Sequence, residues 1–156
     1  MFAYSSHAAV VAVDPEIGSV EVLDYAIVAD CGTRVNPMLV EGQIVGGFSN
    51  GLGNALYEEN TYDEQGQPTA TTLADYTAPT APTIPDVKLE FLETPSPFSM
   101  FGIKGIGENG AIGPPASIVN AVNDALRPLK AAVFETPVTA RRVREAIARA
   151  RPGGPS

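Results

Sequence analysis

One cysteine, one histidine and no tryptophan occur in a chain of 156 residues. With Cys31 alone, an intrachain disulfide framework and any Cys-ligated zinc or iron–sulfur site are excluded. With His7 alone, a multi-histidine metal centre is impossible and a Ser-His-Asp triad is poorly supplied. Any metal must therefore arrive with ligands of its own. Basic residues are also scarce. Ten Lys and Arg stand against eighteen Asp and Glu, a formal net charge of −8. Such a surface argues against nucleic acid, whose binding depends on cations neutralising phosphates, and against an anionic membrane. No apolar run approaches the roughly 20 residues that span a bilayer, and the N-terminus lacks the order of a signal peptide. These absences lead to the expectation of a cytoplasmic protein. Its length suits a single domain over 1–156, with 151–156, Arg-Pro-Gly-Gly-Pro-Ser, as a frayed tail.

Glycine and proline are plentiful, and they are concentrated. Between Gly102 and Pro115, five glycines and two prolines surround one carboxylate, Glu108. Neither residue suits the interior of a regular element, so this stretch reads as a shaped loop. Before it, residues 7–13 and 19–30 read as two strands joined by the turn Asp14-Pro15-Glu16-Ile17-Gly18. Asn36 and Pro37 are suited to the N-cap and first position of a helix running to about Glu58. Ile44, Phe48, Leu52 and Leu56 repeat at spacing four and mark its buried face. The same helix contains Gly42, Gly46, Gly47, Gly51 and Gly53, at a propensity cost of about 1 kcal/mol each. Two explanations remain open: close packing against another element, or close approach of a ligand, with Gln43 able to present amide donors and an acceptor.

Residues 60–86 read as an ordered polar excursion across a core, and 87–93 as a strand with one wet face. Helices are expected from about Pro114 to Leu126, with Ile118, Val122, Ala125 and Leu126 inward, and from near Thr139, with Val143, Ala146, Ile147 and Ala150 inward. The last helix carries Arg141, Arg142, Arg144 and Arg149 and leads to Arg151. That is a solvated face or, less simply, a docking face for an acidic partner. His7 reads as a surface or packing histidine, and Cys31 as a buried structural thiol.

Gly105-Ile-Gly-Glu-Asn-Gly110 matches the G-x-G-x-x-G dinucleotide fingerprint in letters only. A glutamate inside a phosphate cradle would repel pyrophosphate, and the following helix opens too late. The alternatives for Glu108 are a cap for the next helix or a general base. The nearby helix N-terminus favours the charged form and burial the neutral one.

Several ordered motifs carry a resemblance to a known family. Lys104-Gly-Ile-Gly-Glu108 precedes an apolar helix ending Asn120-Ala-Val-Asn-Asp-Ala-Leu126. Upstream lie Asp30-Cys-Gly-Thr-Arg-Val-Asn-Pro37, Val40-Glu-Gly-Gln-Ile-Val-Gly-Gly47, Gly51-Leu-Gly53 and Ala55-Leu-Tyr-Glu-Glu59. Together they resemble the C-terminal part of the molybdenum-cofactor subunit of the xanthine dehydrogenase family. That family includes aldehyde oxidoreductases, carbon monoxide dehydrogenases and hydroxylases of N-heterocycles.

The resemblance implies that Glu108 takes a proton from a hydroxyl on molybdenum. The oxygen then attacks an electrophilic carbon of an N-heterocycle or aldehyde, and hydride passes to a sulfido ligand. It implies that Gln43 hydrogen-bonds the molybdopterin (in its cytosine dinucleotide form). Gly46 and Gly47 would lie on the helix against the pterin, and Lys104, Gly105 and Gly107 would line the cofactor; no residue would bind the metal directly. FAD and [2Fe-2S] clusters would sit on partner subunits. The family's subunits are several times longer, so the chain is either a fragment or a separate subunit that assembles with a chain carrying the missing part. The alternative is a non-catalytic cofactor-binding or scaffolding subunit. The expected fold is α+β: a β-hairpin, a long glycine-rich helix, further strands and two C-terminal helices, part of a larger molybdopterin-binding domain.

Overall fold

A computed structural model describes residues 2–150, so the tail at 151–156 lies outside the described residues. The hairpin forms as expected but starts earlier. Strand β1 is Tyr4–Val13 and β2 is Val20–Asp30, paired antiparallel with a register shift between Val10 and Val11. Asp14 builds the turn. Its carboxylate accepts from the backbone amides of Glu16 and Ile17, and Gly18 takes φ +77. Strand β3, Val87–Leu92, joins β2 in parallel, from Tyr25 opposite Val87 to Asp30 opposite Leu92. The sheet order is β1-β2-β3. One further strand follows the hairpin among the described residues, the expected one over 87–93, where the fold was expected to hold further strands.

Helix α1 is Pro37–Leu56, with Asn36 capping it by accepting from Leu39 N at 3.3 Å. Its expected stripe of Ile44, Phe48, Leu52 and Leu56 is buried, and the Phe48 ring meets Tyr25 of β2 at 4.4 Å between centroids. The shaped loop holds an element not anticipated, the short helix α2, Asn109–Ile112. Helix α3, Pro114–Leu126, buries Ile118, Val122 and Leu126 but leaves Ala125 exposed. Helix α4, Ala140–Ala150, buries Val143 and Ile147. Together these side chains form one core between the sheet and helices α1, α3 and α4. Residues 60–83 lie almost wholly on the surface rather than across the core. Arg142 ties α4 to the segment just after α1 through Glu59 at 2.7 Å, and it also donates to the nearby Pro137 carbonyl at 2.7 Å.

The α1 glycines divide between the two explanations. Cβ atoms at Gly47 and Gly51 would meet Gly110 Cα at 3.1 Å and Ala111 O at 2.6 Å, so these two let α2 lie directly on α1. Gly110 is the reciprocal contact, 2.1 Å from Ile44 O for the same added atom. Gly53 receives the Glu58 side chain. Gly42 and Gly46 have nothing within 4 Å and are exposed.

Candidate functional site

Glu108 stands at the N-cap position of α2, yet its side chain makes no capping hydrogen bond. The residue is exposed and enters no hydrogen bond or ion pair through its carboxylate among the described residues. The capping reading therefore loses its support, and the carboxylate is uncommitted. The main chain around it is held firmly. Asn109 and Gly110 are buried, and the amides of Ala111 and Ile112 both donate to the Glu108 carbonyl, at 2.9 and 3.3 Å.

Gln43, 64 residues earlier, reaches this loop. Its Nε2 donates to Gly107 O at 2.8 Å, leaving the second N–H and Oε1 for other partners. Gln43, Gly42 and Gly46 share the exposed side of α1 by helical spacing. Gly105 and Gly107 are exposed and also have nothing within 4 Å of an added Cβ. Gln43, Gly46, Gly105, Gly107 and Glu108 thus belong to one open, glycine-surfaced region. Gly47 is spent on packing. The Lys104 side chain is only 2% exposed and pairs with Asp30 at 3.1 Å, so Lys104 offers only its main chain outward.

The dinucleotide reading fails on the same geometry. No strand runs into Gly105, since β3 ends at Leu92, and Gly110 is filled by Ile44. No cluster of His, Cys, Asp and Glu suited to a metal occurs among the described residues, and none of their helices is long and apolar enough to cross a membrane.

Two polar groups, one half-buried and one fully buried, had no sequence signal beyond residue type. His7 packs its ring where a Cβ on Gly113 would stand, 2.4 Å away. Ser117 Oγ donates to Gly113 O at 3.1 Å, so it accepts from Tyr25 OH at 2.7 Å. Tyr25 OH also lies 3.0 Å from His7 Nδ1, and His7 Nε2 lies 2.9 Å from Ser5 Oγ, which donates to Asn109 O at 3.5 Å. Burial lowers the His7 pKa, outweighing a hydrogen bond with Asn109, and raises that of Tyr25 to about 12. The second group is Asp30, fully buried at the end of β2. Burial is the largest influence on it and would raise its pKa. Donors from Thr94, Gly32, Tyr4 and Lys104 together outweigh burial and hold the carboxyl well below the usual range. Cys31 is buried, as expected, and burial pushes its thiol up.

The open glycine surface and the half-used Gln43 amide suit a flat organic group lying against main chain. A further acceptor, Asn109 Oδ1, is buried beside Glu108 with no partner among the described residues.

Comparison with known proteins gives the family. Residues 1–85 match the molybdopterin cofactor-binding domain family. The chain is 42% identical over 143 residues to the nicotine 6-hydroxylase large subunit of Paenarthrobacter nicotinovorans, covering 92% of this chain and 18% of that one. It is 34% identical to the carbon monoxide dehydrogenase large chain of Afipia carboxidovorans, covering 87% and 17%. The structure of quinoline 2-oxidoreductase from Pseudomonas putida 86 superposes with a TM-score of 0.89 at 46% identity, covering 94% and 18%. The chain thus spans less than a fifth of the length of these relatives, and it belongs to the molybdopterin-binding large-subunit family of the molybdenum hydroxylases.

Proposed function

We propose that the chain is the catalytic piece of a molybdenum hydroxylase acting on an electrophilic carbon of an N-heterocycle or aldehyde, with Glu108 as the proton acceptor. The observation that carries this is the joining of Gln43 to Gly107, which sets an uncommitted carboxylate at the edge of the open glycine surface of α1. When bound, the molybdenum–molybdopterin group (in its cytosine dinucleotide form) supplies the two-electron redox chemistry and the site from which water-derived oxygen enters the product.

The chain supplies position and one base. Gln43 offers its remaining N–H and Oε1 to the pterin. Gly46, Gly105 and Gly107 let the cofactor reach main chain without meeting side chains, Lys104 contributes through its backbone, and Gly47 acts only indirectly, by seating α2 on α1. The Glu108 carboxylate, which pairs with no cation among the described residues, would be the group that accepts the proton. The rest of the large subunit, on this reading, completes the substrate pocket. An FAD subunit and a [2Fe-2S] subunit carry electrons away in a cytoplasmic complex.

Glu108→Gln in the assembled enzyme keeps the shape and removes the base. Turnover per molybdenum falls by about 10²–10⁴, with molybdenum and pterin content unchanged. Near-normal turnover would mean that Glu108 is not the base and would favour a cofactor-binding or scaffolding role.

A further inference from the structure

The segment carrying Glu108 is held against α1 on both sides of that residue, by Gln43 at Gly107 and by Ile44 at Gly110. What grips its near end is Asp30. The Asp30 carboxylate accepts hydrogen bonds from four separate parts of the chain. Gly32 N donates to Oδ1 at 2.8 Å, Thr94 N to Oδ1 at 3.3 Å, Lys104 Nζ to Oδ1 at 3.1 Å, and Tyr4 OH to Oδ2 at 2.8 Å. The Asp30 and Lys104 side chains are 0% and 2% exposed, and the Lys104 ammonium also lies 5.1 Å from the Tyr4 ring centroid.

The backbone repeats the grip. Lys104 N donates to Cys31 O at 2.8 Å, and Gly32, at φ +68, lets Gly102 O sit where a side chain would stand. Between this anchor and Glu108 lie Gly105, Ile106 and Gly107. A Cβ on either glycine would meet nothing within 4 Å, so no side-chain packing restrains them. So short a span takes its position from the Lys104 anchor at one end and the Gln43–Gly107 hydrogen bond at the other, because its own residues allow wide φ/ψ freedom.

We propose that Asp30 is a positioning residue for Glu108, acting through Lys104 and touching neither cofactor nor substrate. The proposal rests on the reading of Glu108 as proton acceptor. Small displacements of a catalytic group are costly, about 10²-fold for an ångström, so the anchor should be visible in the chemical step.

The test compares Asp30→Asn, Lys104→Met and the double variant in the assembled enzyme, normalised to molybdenum. Each single variant is expected to lower kcat about 10- to 100-fold with KM within about two-fold. Molybdenum and pterin contents should hold, and the double variant should be no worse than the poorer single one. Lys104→Arg should recover part of the loss. Hydrogen exchange should accelerate across residues 102–110 while the β1–β2 amides stay protected. Normal kcat per molybdenum in Asp30→Asn, multiplying losses in the double variant, or loss of molybdenum in Lys104→Met would each overturn the proposal, the last by making Lys104 a cofactor contact. Should Asp30→Asn fail to assemble, Tyr4→Phe removes one of the four donors with little change of shape. A several-fold fall in kcat then supports the anchor, and an unchanged kcat removes it. Glu108→Gln separates the two claims. If that variant is inactive while Asp30→Asn is normal, positioning falls and the base stands. If it is active, the base falls, and the exchange readout alone decides whether Asp30 holds the loop.

Discussion

Gln43 and Gly107 are 64 positions apart in sequence and joined by a 2.8 Å hydrogen bond from side-chain amide to backbone carbonyl. The bond fastens the glycine helix to the residue before Glu108. It also divides the labour of one amide, which braces the loop with one N–H and keeps its remaining polar groups for a ligand.

Removing that amide should loosen the loop without unfolding the protein. Gln43→Met keeps length and loses the donor. The bond is exposed, so its net worth is about 1 kcal/mol, and Tm should move by no more than a few degrees. Exchange at Gly107 and Glu108 should rise, and cofactor content should fall because the pterin loses its amide partner. Full cofactor content in Gln43→Met would confine Gln43 to the bracing role.

The glycines of α1 should respond in opposite ways to the same substitution. Gly46→Ala places a methyl group in open space, so helix propensity alone should stabilise the cofactor-free protein by about 1 kcal/mol. The same methyl stands on the surface proposed for the pterin, and molybdenum occupancy should drop. Gly51→Ala drives a Cβ to 2.6 Å from Ala111 O, where backbone must move. It should destabilise by about 1–3 kcal/mol, as overpacking does. Thermal melts of both variants, with and without cofactor, distinguish the two classes. A Gly46→Ala enzyme with full molybdenum would place the cofactor elsewhere.

Local signals in the sequence accounted for the local structure. The Asn36-Pro37 cap, the Asp14–Gly18 turn and the four-residue spacing of Ile44, Phe48, Leu52 and Leu56 each depend on neighbours within a turn or two, and each appears where expected. The parallel pairing of β3 with β2 depends on residues about 62 positions apart, such as Tyr25 and Val87, and nothing in either strand announces its partner. The two uses of glycine in α1 could not be separated for the same reason. Gly46 and Gly47 are adjacent letters, and only the placement of α2 makes one a packing surface and the other open. Asp30 read simply as the end of a strand. Its four donors come from positions 4, 32, 94 and 104, a convergence visible only after folding.

Acid should destabilise the protein in two stages. His7 has its pKa lowered by burial. The unfolded chain therefore binds its proton first, and stability present above about pH 6.5 declines as pH falls below that value. Asp30 is also lowered, here by its donors against the opposing effect of burial. Its contribution is intact above about pH 4 and is lost as pH drops further. Denaturant titrations from pH 8 to 3 should show both declines. His7→Gln should remove the first and Asp30→Asn the second, each at a cost in stability at pH 7. A single decline unaffected by His7→Gln would mean that the histidine titrates alike in both states.

Phe101 provides the last test, because it holds a conformation that its side chain disfavours. It sits at φ 57, ψ 10, followed by Gly102 at φ 72, and Ile103 N donates to Met100 O at 3.4 Å across the pair. Two consecutive left-handed residues form the kind of turn that prefers Asn-Gly, and a non-glycine residue there costs about 1–2 kcal/mol. The Phe101 ring is 74% exposed, so little packing within the chain offsets that cost. Phe101→Asn should therefore stabilise the isolated chain by about 1 kcal/mol and raise Tm by about 2–4 °C at this size. If the aromatic ring is kept for the rest of the large subunit to cover, the same variant should assemble less well, and the yield of complete enzyme should fall as Tm rises. A lower Tm would show that the ring makes a stabilising contact within this chain, and the left-handed turn would then be the price of that contact.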